Sequence, residues 1–362
     1  MGTTPQATHV ADVPAAMDRA LALAALGPAH GPNPRVGCVL LAPQRHGDTH
    51  RTVIGEGWHR GAGTPHAEVA ALADARARGN DPRGTTAVVT LEPCNHTGRT
   101  GPCAQALLDA GVAEVVHALD DPGAASGGGA AHLRDHGVPV QPGPRQAEAL
   151  GLVRAWHHAV RTGRPYVTLK LATTLDGRVA ALDGTSRWIT GPDARAHAHA
   201  VRATVDAIAV TTGTALADDP ALTARTPDGT RTEHQPLRVV VGHRDLPTTS
   251  RLHGPGGELL HLHTHDVHHV LDELHTRHVR HLLVEGGPAL ATAMLRAALV
   301  DQVHAYIAPM LLGTGPTAVN PLGITTLTAA PRWQTHHLQQ LGPDALLVAR
   351  TTDTSHTPDQ ES

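Results

Sequence analysis

Phenylalanine is absent from this 362-residue chain, and four tryptophans and two tyrosines are its whole aromatic complement. So few rings cannot furnish a platform on which single-stranded bases stack, and the core has to be built from Val, Leu, Ile and Ala. A cationic surplus is missing too. With a net charge of -4 and a pI of about 6.7, the chain advertises no basic face for bulk nucleic-acid or membrane binding. No apolar run approaches the roughly 18 residues a membrane helix needs, so no span is expected. Residues 1–13 lack the charged start and apolar centre of a signal peptide. Three cysteines are too few, and an odd number, for a disulfide framework, which fits a cytoplasmic protein. Histidine is in excess, at 29 residues. The run His261, His263, His265, His268 and His269 reads as a polar surface stretch in a chain drifting toward His and Ala. The length exceeds the ~250–300 residues at which single cores stop growing, so two domains are expected.

The stretch that carries chemistry lies between His66 and Cys103. It reads His66-Ala67-Glu68, then Pro93-Cys94 and Pro102-Cys103. One imidazole and two thiols suit a tetrahedral zinc ion with its fourth position open. Zinc lowers the pKa of a water it holds to ~7, and Glu68 is a carboxylate placed to carry that water's proton. The pattern is similar to the zinc nucleobase-deaminase signature, in which the Glu is not a ligand. Here, however, the second Cys follows the first by nine positions instead of three. Residues i and i+2 of a helix face nearly opposite ways, so His66 is expected at the entry of the helix that starts near Glu68 and stops at Gly79. Cys103 opens a second helix, where a thiol's pKa is lowered. His-Ala-Glu alone would be unremarkable in so His-rich a chain; the two Pro-Cys pairs at strand-to-helix junctions make the site.

Strands alternating with helices predict α/β architecture throughout. The first half reads as helix 15–25, strands 36–41 and 53–58, the two site helices with the strand 86–91 between them, strand 114–119, a glycine-rich loop at 123–129, a helix over 132–137 and a strand over 138–140. Asn33, in the Pro32-Asn33-Pro34 turn, offers an amide to a pyrimidine edge, although Asn and Pro are turn residues in any case. Cys38 reads as a core thiol. The second half reads as strand 165–172, a helix from Pro192 to about Arg202, strand 207–210, a loop over 213–220, strands 237–241 and 258–263, helix 267–278, strand 281–284, helix 289–299 and strand 303–307. Glu285-Gly286-Gly287-Pro288, between a strand and a helix, can present backbone N–H groups to a phosphate, but it is an ordinary turn more often than not. It is not the dinucleotide fingerprint of a Rossmann site. The expected domains are 1–150 and 151–350, with 1–13 and the tail 351–362 disordered.

These residues resemble, over about 12–350, the bifunctional deaminase/reductase family of riboflavin biosynthesis. The first-half matches are Pro32-Asn33-Pro34 with Val36-Gly37-Cys38, Gly55-Glu56-Gly57, His66-Ala67-Glu68, and Thr90 to Cys94 through to Cys103, whose long spacing is the family's own. The second-half matches are Lys170-Leu171-Ala172, Leu175 to Arg178, Ser186 to Thr190, Leu216 to Pro220 with Leu222, Thr223 and Arg225, and Val284 to Pro288. The resemblance implies two three-layer α/β/α domains, one cytidine-deaminase-like and one dihydrofolate-reductase-like. It implies zinc-dependent deamination of a diaminopyrimidinone ribosylamine 5′-phosphate, then NADPH-dependent reduction of the ribosyl group to ribityl. It assigns His66, Cys94 and Cys103 to zinc and Glu68 to proton transfer. NADPH contacts fall at Ala172, Trp188, Thr214, Asp218, Gly287 and Pro288, and substrate contacts at Asn33, Ser186, Arg202, Leu222, Arg225 and Glu285. Lys170 is a candidate for charge stabilisation or proton supply. A homo-oligomer, dimer or tetramer, is implied as well.

The chain departs from the family at Gly123-Ala124, where Asn-Pro is usual, at Gly101, where Pro is usual, and at Gly242-His243, onto which no cofactor role is carried. The first departure is expected to loosen a loop near the deaminase pocket. Three other readings compete. A tRNA-editing deaminase would shift tRNA in a gel. A zinc-stabilised binding module would hold zinc without turnover. A paralogue serving a specialised-metabolite pathway would fail on the riboflavin precursor.

Overall fold

The computed structural model describes residues 8–44, 48–96 and 101–351, and the chain forms two compact units, 1–163 and 164–362. In the first unit the elements run β1 (Thr8–Val10), α1 (Val13–Ala24), β2 (Gly37–Leu41), β3 (Arg51–Trp58), α2 (Ala67–Ala77), β4 (Thr86–Val89), α3 (Cys103–Asp109), β5 (Glu114–His117), α4 (Gly129–Asp135), β6 (Val140–Pro142) and α5 (Gln146–Thr162). They build a mixed sheet of order β1-β3-β2-β4-β5-β6. Helices α1 and α5 pack together, as do α2, α3 and α4, giving the helix–sheet–helix layering. The apolar strands β2 and β4 are buried throughout, as expected for strands covered on both faces. Helix α5 sends Ala149, Val153 and Trp156 into this core, so the unit continues to Gly163.

Glycines set the spacing between layers. A Cβ on Gly37 would lie 2.0 Å from the Ala20 carbonyl oxygen of α1. One on Gly57 would meet the Ala67 oxygen and the Ala71 nitrogen of α2, each at 2.4 Å. Helices therefore rest on the sheet backbone with no side chain between.

The second unit contains β7 (Tyr166–Thr174), α6 (Pro192–Arg202), β8 (Ala207–Thr211), α7 (Thr212–Asp218), β9 (Leu237–Val241), β10 (Leu259–Leu262), α8 (Val267–Thr276), β11 (His281–Val284), α9 (Pro288–Arg296), β12 (Gln302–Ala308), β13 (Trp333–Leu341) and β14 (Asp344–Thr351). The sheet order is β10-β9-β8-β11-β7-β12-β14-β13, parallel from β10 to β12 and finished by an antiparallel hairpin. Helices α8 and α9 bury Val270, Leu274, Leu290 and Met294 against one face. On the other face Ala194 of α6 packs with Tyr306 and Leu346.

Several expectations change. Residues 8–10 form an edge strand on β3 instead of loose chain, while residues 1–7 and the tail 352–362 lie outside the described residues. The expected loop at 213–220 is largely helix, because the Thr211 side chain caps α7 by accepting from the Thr214 amide. Helix α4 starts at Gly129 and β6 sits at 140–142, each displaced by two or three residues.

Candidate functional site

Helix α2, the loop after β4 and helix α3 bring the first-unit residues together. His66 is the N-cap of α2, with extended backbone (φ -67°, ψ 162°). That break in helical geometry lets an i, i+2 pair converge, as the spacing of His66 and Glu68 requires. Its Nδ1 lies 3.2 Å from Cys103 Sγ and 3.5 Å from Cys94 Sγ. All three ligand atoms fall within 4.8 Å of one another. Zinc bonds of ~2.3 Å to sulfur and ~2.0–2.1 Å to nitrogen give tetrahedral edges of roughly 3.5–3.8 Å, so this donor set fits the ion with little movement. Cys103 is the first residue of α3, and its backbone N–H points to Cys94 Sγ at 3.5 Å.

The two thiols are inequivalent. The hydrogen bond from Cys103, reinforced by His66 and opposed by burial, pulls the Cys94 thiol down to about 4. Cys103, which donates that bond, is pushed up, with burial and the Glu68 carboxylate acting in the same direction. Glu68 is 3 % exposed, and burial raises its carboxyl to about 7. Such a group can both take and return a proton near neutral pH.

Two supports were not evident from the motifs. His59, just beyond β3, stands 5.4 Å from the His66 ring, centroid to centroid and edge-on. Its Nδ1 faces the Pro65 carbonyl at 3.2 Å and its Nε2 faces Asn33 Nδ2 at 2.9 Å. Burial lowers its pKa, and one neutral tautomer satisfies both contacts: Nδ1–H donates to Pro65 and Nε2 accepts from Asn33. Asn33 therefore reaches the site through His59. Glu92, buried beside Pro93-Cys94, accepts from the Ala130 N–H (2.8 Å) and the Asp121 N–H (3.1 Å). Asp121 in turn accepts from the Gly123 N–H at 2.8 Å. The loop carrying Gly123 and Ala124 is thus anchored to the ligand loop. Glu92 lies within the Thr90-to-Cys94 match, but nothing in the sequence pointed to its partners Asp121 and Ala130.

Gly129 packs so closely that a Cβ there would lie 1.8 Å from the Pro93 carbonyl oxygen. Gly129→Ala should destabilise the first unit by about 1–3 kcal/mol through overpacking and displace Cys94. A lower denaturation midpoint together with weaker zinc retention, measured by competition with a chelator, checks this.

In the second unit the expected residues gather at the C-terminal ends of the parallel strands. Arg202 grips Glu285 with both arms, Nε to Oε1 at 2.6 Å and Nη2 to Oε2 at 2.8 Å, while Nη1 donates to the Thr223 carbonyl at 3.1 Å. Lys170 Nζ lies 3.7 Å from the same carboxylate and 5.9 Å from the Tyr306 ring centroid. Burial would raise the Glu285 carboxyl, but Arg202 and Lys170 outweigh it and hold it at about 2. Arg225 Nε donates to Thr223 Oγ1 at 3.0 Å, beside buried Leu222.

The Gly287 N–H donates to Thr214 Oγ1 at 3.0 Å, tying the start of α9 to α7. A Cβ on Gly287 would come within 3.2 Å of that oxygen, so glycine suits the close approach of this turn to α7. Arg187 Nη2 donates to the Asp218 carbonyl, and Arg195 stacks 4.5 Å over exposed Trp188. Ala172 packs beside Tyr306 and α6. For Ser186 the described interactions show no link to the others. Gly242 has φ +131°, and a Cβ there would strike Thr212 Oγ1 at 2.6 Å, which explains glycine at that turn.

Arg202→Ala would leave Glu285 buried without its main counter-charge and should destabilise the unit by about 3–5 kcal/mol. A depressed carboxylate contributes stability above its ordinary pKa of 4.5 and loses it as pH falls toward about 2. The stability difference between wild type and variant should therefore be full at pH 7 and shrink below pH 4.5, as urea titrations across pH would show.

Comparison with known proteins agrees with both units. Residues 12–119 match the cytidine and deoxycytidylate deaminase zinc-binding region, and residues 165–347 match the RibD C-terminal domain. Riboflavin biosynthesis protein RibD of Mycobacterium tuberculosis is 46 % identical, the match covering 88 % of this chain and 92 % of the relative. The Escherichia coli protein of that name is 38 % identical over 91 % and 97 %. Acinetobacter baumannii RibD superposes with a TM-score of 0.82 at 35 % identity, covering 93 % of this chain and 98 % of that one. A Thermotoga maritima diaminohydroxyphosphoribosylaminopyrimidine deaminase/5-amino-6-(5-phosphoribosylamino)uracil reductase gives 0.82 at 30 % identity, covering 94 % and 98 %. With a zinc-type donor set in one unit, a strand-end polar cluster in the other and relatives matched almost end to end, the chain belongs to the RibD family of riboflavin biosynthesis, with a deaminase and a reductase domain.

Proposed function

We propose that the first domain deaminates 2,5-diamino-6-ribosylamino-4(3H)-pyrimidinone 5′-phosphate and that the second reduces the product's ribosyl group, yielding 5-amino-6-(5-phosphoribitylamino)uracil. The observation that carries this reading is buried Glu68 beside the convergent His66, Cys94 and Cys103. His66, Cys94 and Cys103 would hold one zinc ion. When bound, zinc supplies a water ionised near neutral pH. Glu68 accepts a proton and delivers it to the departing amine nitrogen, which leaves as ammonia. Asn33, steadied by His59, orients the pyrimidine edge.

In the reductase domain Ala172, Trp188, Thr214, Asp218, Gly287 and Pro288 would hold NADPH, which supplies the hydride. Ser186, Arg202, Leu222, Arg225 and Glu285 contact the sugar phosphate. Arg225 is the guanidinium offered to the phosphate: the Arg202 fork is neutralised by Glu285, whereas Arg225 donates only to Thr223 and the Gly229 carbonyl and has no carboxylate partner among the described residues. Arg202 and Lys170 keep Glu285 ionised, and Lys170 supports proton delivery to the reduced sugar. A cytoplasmic location and homo-oligomeric assembly belong to the same reading. The low aromatic content and net charge of -4 weigh against a tRNA substrate.

Coupled turnover of the pyrimidine phosphate, with ammonia and NADPH followed together, tests the proposal. One ammonia per NADPH is expected. Ammonia without NADPH oxidation would remove the reductase half, and neither signal would point to a diverted paralogue.

A further inference from the structure

We propose that Tyr306, braced by His197, is the positioning residue that holds the Lys170 head group beside Glu285 for the reduction step. The proposal rests on the reductase reading given above. The chain carries 29 lysines and arginines, and Lys170 is its sole lysine. An arginine head is planar and keeps its charge, whereas a lysine amine is a compact cation that can release a proton. All the others being arginine, this one position calls for the amine.

Glu285 alone does not fix that amine. The Arg202 fork occupies both carboxylate oxygens, at 2.6 and 2.8 Å. Lys170 Nζ stands farther off, 3.7 Å from Oε2, with the Arg202 charge as a rival. A second hold comes from β12. There Tyr306 is in register with Ala172 and His304 with Lys170, so these side chains share the sheet face that α6 covers. Tyr306 is 1 % exposed, and its ring centroid lies 5.9 Å from Nζ. A ring face within ~6 Å attracts a cation, more strongly where water is excluded.

The ring is itself held. From α6, His197 Nδ1 meets the Tyr306 hydroxyl at 2.8 Å. Burial pushes the phenol up, and burial with His337 of β13 pulls the His197 imidazole down. Both groups are therefore uncharged, and their bond fixes the ring without setting a charge beside Lys170. The remaining histidines do not compete. His304 is lowered to about 4 by burial, and the Gln302 amide engages its Nε2. His199 is lowered by burial too, and its Nδ1 faces the Thr223 carbonyl at 3.0 Å.

Composition makes the test specific. With one lysine, an amine reagent reports on Lys170 and the α-amino group alone, which peptide mass spectrometry separates. With no phenylalanine elsewhere, Tyr306→Phe introduces a single one, and fluorinated phenylalanines supplied during expression enter only there. In the full-length holoenzyme, Tyr306→Leu should speed acetic anhydride labelling of Lys170 by about threefold or more, while Tyr306→Phe should stay near wild type. With pre-deaminated substrate and NADPH, Tyr306→Leu should lower kcat by about tenfold or more with KM for NADPH little changed, and Tyr306→Phe by no more than about threefold. Successive fluorination, which drains the ring face of negative charge at nearly constant shape, should lower kcat stepwise. His197→Ala with Tyr306→Phe should cost no more than either change alone, because both remove one bond.

Unchanged labelling in Tyr306→Leu, a Tyr306→Phe enzyme as slow as Tyr306→Leu, or a flat fluorinated series would each overturn the proposal. The fluorinated series decides the matter even if Tyr306→Leu does not fold. Labelling needs no substrate, so a wild-type enzyme unable to reduce the pre-deaminated compound would count against the reductase reading, and labelling would still judge the Lys170–Tyr306 contact.

Discussion

Glu68→Gln should keep zinc at one ion per chain and lower ammonia release by about 10²–10⁴-fold, the range typical of a lost general acid–base group. The substitution preserves size but replaces a carboxylate that ionises with an amide that does not. Glu68 is not one of the three convergent donors, so zinc content should not change. Burial, helped by the charge on Cys94, raises the Glu68 carboxyl to about 7, while the hydrogen bond with Cys103 works in the opposite direction. A neutral amide relieves that burial, so the variant should be no less stable than wild type. Zinc content by elemental analysis, ammonia release and a thermal melt separate the outcomes. Full deamination by the variant would remove Glu68 from the mechanism, and loss of zinc would make it a structural residue instead.

Cys94→Ala should abolish deamination and zinc binding while reduction of a pre-deaminated substrate continues at near wild-type rate. Two donors, His66 and Cys103, would remain, below the three protein ligands typical of a catalytic zinc site. The reductase domain has its own sheet and core, so loss of a ligand in the first unit leaves its Lys170–Glu285–Arg202 cluster intact. Simultaneous loss of both activities would show that the two units depend on one another for folding. Retained zinc would show that the ion is held elsewhere.

Much of this was legible in the sequence where a local rule applied. The candidate metal donors were readable because Pro-Cys and His-x-Glu sit at element junctions, and the requirement that His66 lie at a helix entry matches its extended N-cap geometry. The parallel strands were readable because they are rich in Val, Ile, Leu and Ala. Strand β13 escaped notice because Gln, Thr and His occupy both its faces and produce no alternation. Helix α7 was read as loop because Gly213 and Asp218-Asp219-Pro220 are turn residues, and the cap at Thr211 outweighs them. Long-range partners had no local signature. Arg202 and Glu285 are 83 positions apart, and Glu92 reaches 38 residues onward to Ala130. The Arg202 fork, expected to contact substrate, is turned toward a carboxylate of the same chain, a fact only the folded arrangement reveals.

The backbone-on-backbone seating of helices at Gly37 and Gly57, with Gly129 against the Pro93 carbonyl, has a practical consequence. A laboratory-evolution library that spared every donor and proton carrier but varied these three glycines would still lose most of its active members. Such sites behave as shims under a machined part. They contribute no chemistry, yet their thickness sets the alignment of everything mounted above them.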